Sequence, residues 1–334
     1  MRILVTGASG FVGSLLTARL LADGHDVRAL GRDPQRVSAA LERELPSGSA
    51  GEIEILRGDA ISGEGLKPAL AGVELAYYLI HSMERSSASP AGPVAGASFA
   101  QRDHVAAENF AAAARAAKVS RLIYLGGLLP GAAEQPRPAR GTAAAAASRH
   151  LESRADVERI LLEAIPGSLA LRSSIVIGAR SRSFRLLVRL VERMPVLTLP
   201  SWRRNRTQPI DARDIIEMLA LSATAMEVGG ILDVGGPEVL SYEEILTRLA
   251  ELMLVGRPAL GVGVSATPFT ARLAAAITGE DPELVSALME SLDGDLLPAG
   301  EDAAQLLGVE LHSFDSAVEH ALSDWERFQA LAAR

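Results

Sequence analysis

The chain has 334 residues, a formal net charge of −8 and no cysteine. An acidic chain of this kind binds nucleic acid and anionic membrane surfaces poorly, so we expect neither as a partner. The lack of cysteine excludes disulfides, thiolate catalysis and cysteine-based metal sites. The sequence has no apolar stretch of roughly 18 residues, the length of a membrane span, and no signal-peptide pattern at its start. It therefore predicts a cytoplasmic protein without a membrane span.

Short apolar runs alternate with helical patterns through the first half of the sequence. The predicted strands cover residues 3–5, 27–30, 54–56, 75–80, 122–125 and 169–177, and the predicted helices cover residues 11–22, 102–117 and 153–163. Strands that alternate with helices form a parallel sheet with helices on both faces. The sequence therefore predicts an α/β protein with a Rossmann-type, doubly wound parallel sheet.

The strict alternation ends near residue 178. Further elements are predicted at 183–193 (an amphipathic helix), 230–234 (a strand) and 242–253 (a helix), followed by a mostly helical remainder. We assign residues 1–178 to a Rossmann dinucleotide-binding domain, to which residues 207–236 return. Residues 179–206 and 237–334 are assigned to a smaller, mostly helical substrate-binding lobe.

Two segments rich in small residues and proline, 85–98 and 130–147, follow predicted strands. They are expected at the carboxyl edge of the sheet, where ligands bind in such folds. Two interpretations stay open, since such segments are either surface loops without a role or lids over a substrate pocket.

A glycine-rich turn, TGASGFVG, joins the first predicted strand to the first predicted helix. Gly7 permits the tight turn, Gly10 lets the backbone approach a pyrophosphate, and Gly13 lets the helix pack closely on the strand. The helix N-terminus adds N–H donors and the positive end of its dipole. We expect a dinucleotide to bind here, in contact with Thr6, Gly7, Ser9, Gly10, Phe11, Val12 and Gly13.

The end of the second predicted strand, VRALGRD, bears on the choice between NADP(H) and NAD(H). Sites that prefer NAD(H) carry a carboxylate here for the ribose hydroxyls. In this chain position 31 is a glycine, and Arg32 follows it. A guanidinium suits the 2′-phosphate of NADP(H), whereas Asp33, one residue later, can blur that preference. We predict NADP(H) as the cofactor, with NAD(H) as the alternative.

Several further segments resemble one known group of proteins. TGASGFVG, VRALGRD, Gly58-Asp59, the QPI segment at 208–210 and Asp214 together resemble the atypical, extended short-chain dehydrogenases/reductases. The segments YLIHSM (78–83), YLGG (124–127) and VGGP (234–237) are similar to the NAD(P)H-binding, NmrA-like bacterial oxidoreductases within that superfamily. The resemblance covers residues 1 to about 250.

This resemblance implies further cofactor contacts. Asp59 matches the aspartate that contacts the adenine, and Leu79 and Ile80 stand where other members line the cofactor. Gly126 and Gly127 replace the usual serine after the fifth strand. Ile175, after the sixth strand, would lie near the nicotinamide.

The chain departs from the family at the catalytic pair. Typical members carry Tyr-x-x-x-Lys on the helix after the fifth strand, and here His150 and Arg154 take those places. One helical turn separates the two, so both can face one cleft. His150 can donate a proton near neutral pH, and Arg154 can hold a ribose or a phosphate. His81 is a second candidate acid, while Ser82 and Tyr124 are weaker ones and Tyr124 is expected in the core.

Carbonyl reduction requires a hydride donor, a proton donor and stabilisation of the developing oxyanion. The histidine spacing predicts no metal site. We expect an apolar substrate pocket lined by Phe184, Leu187, Met194, Trp202 and residues 268–277. The basic run 203–206 is either a solvated loop or a source of one arginine that closes over the ligand.

The sequence thus predicts an NADP(H)-dependent reductase of the atypical short-chain class. Its substrate would be an apolar small molecule with a carbonyl, a quinone or an activated double bond. Two alternatives stay open. The first is a non-catalytic NADP(H)-binding redox sensor or assembly factor, because loss of the Tyr-x-x-x-Lys pair predicts binding without proton transfer. The second is an epimerase or isomerase, which the missing pair disfavours.

Overall fold

A computed structural model describes residues 1–45, 51–80, 98–129, 144–261 and 294–331, with five isolated positions between 275 and 292. Side chains in the first helical residues after 144 are described from Glu152 onward. The strands are β1 Arg2–Thr6, β2 Asp26–Gly31, β3 Ile53–Arg57, β4 Leu75–Tyr78, β5 Arg121–Gly127, β6 Leu169–Ser173, β7 Val176–Ile177, β8 Leu197–Leu199, β9 Arg206–Thr207, β10 Ile210–Asp211, β11 Gly230–Val234, β12 Leu240–Ser241 and β13 Ala259–Gly261.

The α-helices are α1 Phe11–Ala22, α2 Pro34–Leu41, α3 Leu66–Leu70, α4 Phe99–Ala116, α5 Ala144–Ala164, α6 Arg182–Arg193, α7 Ala212–Leu221, α8 Tyr242–Leu252, α9 Ala303–Leu307 and α10 Phe314–Glu326. A short 3-10 helix covers Ser201–Arg204. Side-chain caps fix several helix starts, among them Asp33 before α2 and the capping box of Ser241 and Glu244 at α8.

Within the described residues, seven parallel strands form one sheet in the order β11-β6-β5-β4-β1-β2-β3. The strand order reverses direction between β1 and β4, which is the switch point where doubly wound sheets bind their ligands. The central strands β4 and β5 are apolar and buried along almost their whole length, as expected for strands covered on both faces. The predicted Rossmann-type fold is confirmed.

Helices cover both faces of the sheet. One hydrophobic cluster packs α1, α2 and α7 against one face, and a second packs α3, α4 and α5 against the other. A third cluster lies apart from the sheet and joins α6, α8 and α10. The short helix α9 packs with the first of these clusters, on the sheet.

The third cluster supports the division of the chain into two domains. We propose that residues 1–178 and 207–236 form the dinucleotide-binding domain, because β11 pairs with β6 along its whole length. Residues 179–206 and 237–334 would form the smaller lobe, although α9 from that stretch packs on the sheet.

Two predicted elements have different bounds in the structure. The single strand predicted over 169–177 is two strands, because the neighbours of β6 end at Gly127 and Val234, opposite Ser173. The chain then leaves the sheet, and β7 pairs with β10 instead. The helix predicted over 153–163 begins already at Ala144, inside the segment predicted as a loop, where a run of alanines favours helix. The rest of that segment before residue 144, and most of 85–98, lie outside the described residues.

Candidate cofactor site

The glycine-rich turn leads from β1 into α1 at the carboxyl edge of the sheet. Gly7 has a φ of +68°, in the left-handed region that favours glycine, and a Cβ atom there would lie 2.7 Å from the carbonyl oxygen of Leu79. A Cβ atom on Gly13 would lie 2.3 Å from the carbonyl oxygen of Gly7. Both glycines are therefore required by close backbone contacts within the turn itself.

Gly10 has a different role in the turn. It is exposed, at φ −79° and ψ 170°, and a Cβ atom would lie 3.1 Å from the carbonyl oxygen of Gly7, which is tight without a collision. The N–H groups of Phe11, Val12 and Gly13 open α1 and have no carbonyl partner within the helix. A bare glycine face next to these donors suits the close approach of a phosphate group.

Thr6 joins the ends of β1 and β4 beneath this turn. Its hydroxyl donates to the carbonyl oxygen of Tyr77 at 3.0 Å and accepts from the backbone N–H of Leu79 at 3.1 Å. Thr6 is fully buried. This pair of hydrogen bonds fixes Leu79 against Gly7, so the predicted cofactor residues Thr6, Gly7 and Leu79 are in mutual contact, and β4 ends at Tyr78 rather than at the predicted residue 80.

We expect Thr6→Val to destabilise the fold, because it leaves the buried N–H of Leu79 without an acceptor. An unsatisfied buried donor costs about 1–3 kcal/mol, which urea unfolding measures directly. Thr6→Ser keeps the hydroxyl and serves as the control. A Thr6→Val protein as stable as the wild-type protein would show that these two hydrogen bonds do not stabilise the fold.

The end of β2 carries Gly31, Arg32 and Asp33. The Asp33 carboxylate accepts from the backbone N–H groups of Gln35 and Arg36, at 2.9 and 3.4 Å, and so caps α2. Arg32 is exposed. The carboxylate that could have blurred the cofactor preference is therefore engaged by the helix, while the guanidinium faces solvent.

Asp59 lies in the loop that follows β3, next to the end of β2. Its carboxylate accepts from the N–H of Ile61 at 2.9 Å, and Gly58 donates its N–H to the carbonyl oxygen of Gly31 at 3.0 Å. The side-chain amide of Asn109 on α4 donates to the carbonyl oxygens of Ala60 and Ile61. These bonds fix the Asp59 loop beside the end of β2.

The segment after β6 returns to the start of α1. A Cβ atom on Gly178 would lie 2.4 Å from the Phe11 ring, and the Arg180 guanidinium lies 5.8 Å from the centre of that ring. Arg180 also donates to the Ser14 hydroxyl at 2.8 Å. Ile175, three residues before Gly178, is half-buried and accepts from the N–H of Ile210 at 2.9 Å.

The end of β5 brings together a tyrosine, two glycines and an arginine. Tyr124 is buried and hydrogen-bonded to Arg154 of α5. A Cβ atom on Gly127 would lie 3.6 Å from the Arg154 guanidinium. Burial raises the pKa of Tyr124 to about 12, and the Arg154 charge acts against that rise. Arg154 thus reaches the carboxyl edge of the sheet.

The other predicted catalytic residues are not described. His81 lies outside the described residues, as does Ser82, and the side chain of His150 is likewise not described although its helix is. Ile80 is half-buried two residues after β4, and Gly126 is buried one residue before the end of β5.

The sequence analysis missed a buried ionic group next to this edge. Arg172 of β6 donates to both carboxylate oxygens of Glu158, at 2.7 and 2.6 Å, and its guanidinium lies 3.8 Å from Asp233 of β11. Burial raises the pKa of Asp233, and the Arg172 charge acts against that rise. A charged residue inside the apolar strand LALRS was the signal that could have revealed it.

The predicted lining of the substrate pocket was wrong for three residues. Phe184, Leu187 and Trp202 are core residues of the third cluster, with exposed fractions of 1%, 6% and 6%. The Trp202 ring packs edge-on against Tyr242, with ring centres 5.8 Å apart. These side chains pack the smaller lobe internally and leave little surface for a substrate. Met194 is half-buried, and most of 268–277 lies outside the described residues.

The basic run at 203–206 is paired within the smaller lobe. Arg203 forms an ion pair with Glu243, and Arg206 donates to Asp295 at 2.7 and 3.0 Å. Neither interpretation of this run from the sequence, a solvated loop or an arginine over the ligand, predicted these ion pairs. They hold the 3-10 helix to Glu243 and β9 to Asp295.

No helix among the described residues is long and apolar enough to cross a membrane. In the same residues there is no group of three histidine or acidic side chains placed to hold a metal ion.

Fold and turn geometry together define a Rossmann dinucleotide-binding protein. Residues 7–165 match the family model for NAD(P)H-binding domains. The whole chain also superposes on a UDP-glucuronic acid 4-epimerase of Bacillus cereus in complex with UDP-glucuronic acid and NAD. The TM-score is 0.67 at 18% identity, over 98% of this chain and 100% of the other. The N-terminal half of the chain thus matches the NAD(P)H-binding family, and the chain has the fold of this NAD-bound epimerase, which confirms the predicted resemblance at that level.

Curated relatives match shorter stretches. A dihydroflavonol 4-reductase of Hordeum vulgare is 37% identical over 93 residues, which are 28% of this chain and 26% of that protein. A mitochondrial NADH dehydrogenase [ubiquinone] 1 alpha subcomplex subunit 9 of Arabidopsis thaliana is 25% identical over 253 residues, which are 75% of this chain and 56% of that protein. The chain thus spans between about a quarter and about half of the length of these relatives.

Proposed function

We propose that the protein is an NADP(H)-dependent reductase of an apolar carbonyl, quinone or activated double bond. The observation that carries this proposal is the arrangement at the carboxyl edge of the sheet. There Gly10 before α1, Arg32 after β2, and Tyr124 with Arg154 at the end of β5 lie along one edge of the sheet.

The residues present fit a nicotinamide dinucleotide. The N–H groups at the start of α1 and the bare face of Gly10 would receive the pyrophosphate. Arg32 would pair with the 2′-phosphate of NADP(H), because Asp33 is engaged in capping α2. Asp59 would contact the adenine, whereas Leu79, Ile80, Gly126 and Ile175 would line the rest of the cofactor.

A bound nicotinamide supplies the hydride for such a reduction. The chain must then exclude water and stabilise the negative charge that develops on the substrate oxygen. Arg154, next to Gly127 at the end of β5, would stabilise that charge, and the sequence offers His150 and His81 as proton donors.

The names of the relatives support a reductase of an apolar carbonyl compound. The barley relative is a dihydroflavonol 4-reductase, and its match covers 28% of this chain. The likeness to an epimerase describes the fold alone at 18% identity. Oxidation of NADPH against a panel of quinones, ketones and enones tests the proposal, and the absence of turnover on a broad panel would count against it.

Arg32→Ala tests the cofactor preference. We expect binding of NADPH to weaken about 10- to 100-fold, since a charge-assisted contact contributes about 1.5–3 kcal/mol, while binding of NADH changes little. Calorimetric titration with both nucleotides measures the two effects. Arg115→Ala removes the same charge from an exposed position on α4 and is the control. Equal losses for both nucleotides would refute the role of Arg32.

A second candidate function rests on the long match to the mitochondrial subunit. That relative is a subunit of an NADH dehydrogenase, and its match covers 75% of this chain. A protein that binds NADP(H) without turnover and reports its level to a partner would fit such a relationship. Tight binding of NADPH together with no oxidation across the panel favours this second function.

A further inference from the structure

Three paired residues on the neighbouring strands β5, β6 and β11 form a row that faces α5. Gly126 of β5 pairs with Arg172 of β6, and Arg172 pairs with Asp233 of β11. Arg172 binds Glu158 of α5, so this row faces that helix. The row lies one residue before the carboxyl end of each strand.

Tyr124 fills the space that Gly126 leaves open in this row. The two residues are two positions apart on β5, so their side chains lie on the same face of the sheet. A Cβ atom on Gly126 would lie 2.9, 3.4 and 3.5 Å from Cε1, Cζ and the hydroxyl oxygen of Tyr124. The ring therefore lies along the strand, with its hydroxyl next to the carboxyl end. Packing against the Tyr78 ring, with centres 6.2 Å apart, holds it there.

Arg154 holds the Tyr124 hydroxyl through a hydrogen bond. A guanidinium has only donors, so the phenol oxygen must be the acceptor in this bond. The Tyr124 O–H group therefore does not take part in the bond to Arg154 and can donate its proton to another acceptor. Arg154 itself lies against Gly127, where Cδ and Nη1 are both 3.6 Å from the position that a Cβ atom would take. Gly126 thus leaves space for the Tyr124 ring, and Gly127 leaves space for the Arg154 side chain.

The charges around the hydroxyl come from both helices and from the sheet. Burial and the carboxylates of Asp103 on α4 and Glu158 on α5 raise the pKa of Tyr124, whereas the Arg154 charge and hydrogen bond lower it. Glu158 is itself neutralised by Arg172. All four tyrosines of the chain are described, and burial raises the pKa of each of them above its ordinary value.

We propose that the Tyr124 hydroxyl, held by the Arg154 guanidinium, is the proton donor of this site. This proposal rests on the proposed reductase function. It places the phenol on β5 and its cation on α5, whereas the family pattern places both on one helix.

In the reduction, a nicotinamide bound at this site would supply hydride to the carbonyl carbon, and the electron pair of the C=O π bond would move to the oxygen. The O–H bond of Tyr124 breaks as an O–H bond forms on that oxygen. The resulting phenolate lies beside the Arg154 cation, which stabilises it, and a proton from solvent then restores the phenol.

The first test does not depend on turnover. Protein labelled with fluorotyrosine gives four ¹⁹F resonances, one for each tyrosine, and Tyr124→Phe identifies the resonance of Tyr124. In Arg154→Met its pKa rises by about one unit, because a cation next to the phenol has been lost. A pKa unchanged in Arg154→Met overturns the pairing.

The second test separates the proton donors. We expect Tyr124→Phe to lower kcat at least about 100-fold with an unchanged Kd for NADPH, as the loss of a general acid does. Tyr77→Phe is the matched control, because it removes an equally buried phenol, bonded to the carbonyl oxygen of Leu219, on the opposite face of the sheet. Circular dichroism confirms that both variants fold.

His150→Phe and His81→Phe complete the comparison. Unchanged kcat in Tyr124→Phe, together with a large loss in either histidine variant, overturns the proposal and leaves the reductase function intact. A wild-type protein that binds NADPH and reduces nothing contradicts the reductase function and the proton donation with it. The ¹⁹F titration then still decides whether Tyr124 and Arg154 are paired, so the two failures are distinguishable.

Discussion

Gly10→Val is expected to abolish the binding of NADP(H) while the protein stays folded. Valine readily adopts φ −79° and ψ 170°, so the backbone of the turn can be kept. Its side chain would occupy the exposed face of Gly10 and separate a pyrophosphate from the N–H groups that open α1. We expect the affinity to fall by about 100-fold or more, which corresponds to about 2.7 kcal/mol. Calorimetric titration with NADPH measures it.

Gly13→Ala is the matched comparison for this variant. Its Cβ atom would lie 2.3 Å from the carbonyl oxygen and 2.8 Å from the carbonyl carbon of Gly7, and backbone atoms cannot move aside as a flexible side chain does. Forced overpacking of this kind costs about 1–3 kcal/mol, so Gly13→Ala lowers the Tm. Normal nucleotide binding by a folded Gly10→Val protein would show that the turn is not the pyrophosphate site.

Arg172→Met is expected to destabilise the fold strongly. The change leaves the carboxylates of Glu158 and Asp233 buried without their cation, with side-chain exposed fractions of 7% and 10%. Removing one partner of a buried ion pair costs about 3–5 kcal/mol. Urea unfolding of the variant and the wild-type protein at neutral pH measures the difference.

The pH dependence of this loss identifies its cause. Burial already raises the pKa of Asp233 above its ordinary value, and loss of the Arg172 charge raises it further. A carboxyl group with a raised pKa binds protons more tightly in the folded than in the unfolded state, so it destabilises the fold increasingly as the pH rises. The deficit is therefore largest at neutral pH and shrinks in mild acid, between the raised pKa and the ordinary one.

Arg159→Met provides the control, because Arg159 lies on α5, the helix that also carries Glu158. Arg159 forms ion pairs with Asp156 and Glu163, at 2.7 and 3.0 Å, but its side chain is 54% exposed. Exposed pairs contribute little, so we expect a much smaller change than in Arg172→Met. A deficit in Arg172→Met that is as small as this would mean that the buried ionic group does not stabilise the fold.

The sequence predicted the sheet and the cofactor turn because both depend on local patterns. Helix α1 has the predicted bounds of Phe11–Ala22, since a glycine turn opens it and Gly24 follows its end at a φ of +80°. Strand β11 also has its predicted bounds of Gly230–Val234. In each case neighbouring residues along the chain carry the signal.

Other features depend on contacts between distant residues. The split between β6 and β7 follows from where the neighbouring strands end, and no local pattern marks it. The helix α2 was not predicted, although Asp33 and Pro34 form a recognisable start. Phe184 and Trp202 are equally consistent with a core or a pocket in the sequence, and only packing shows that they belong to the core.

The residues of the candidate site likewise fall into those that local patterns reveal and those that depend on distant contacts. Its glycines and Arg32 were predicted from their order in the chain. The contact between Tyr124 and Arg154 joins residues on β5 and α5, and Tyr124, which had been expected in the core, is buried there. A hydrogen bond at such a separation is visible only once the fold brings its partners together.

The most direct test of this account is calorimetric titration of the wild-type protein with NADPH and NADH, followed by NADPH oxidation against the panel of quinones, ketones and enones. The account predicts saturable binding with preference for NADPH, and turnover of at least one member of the panel. Failure to bind either nucleotide would contradict the assignment of the turn at residues 6–13, and with it the proposed function.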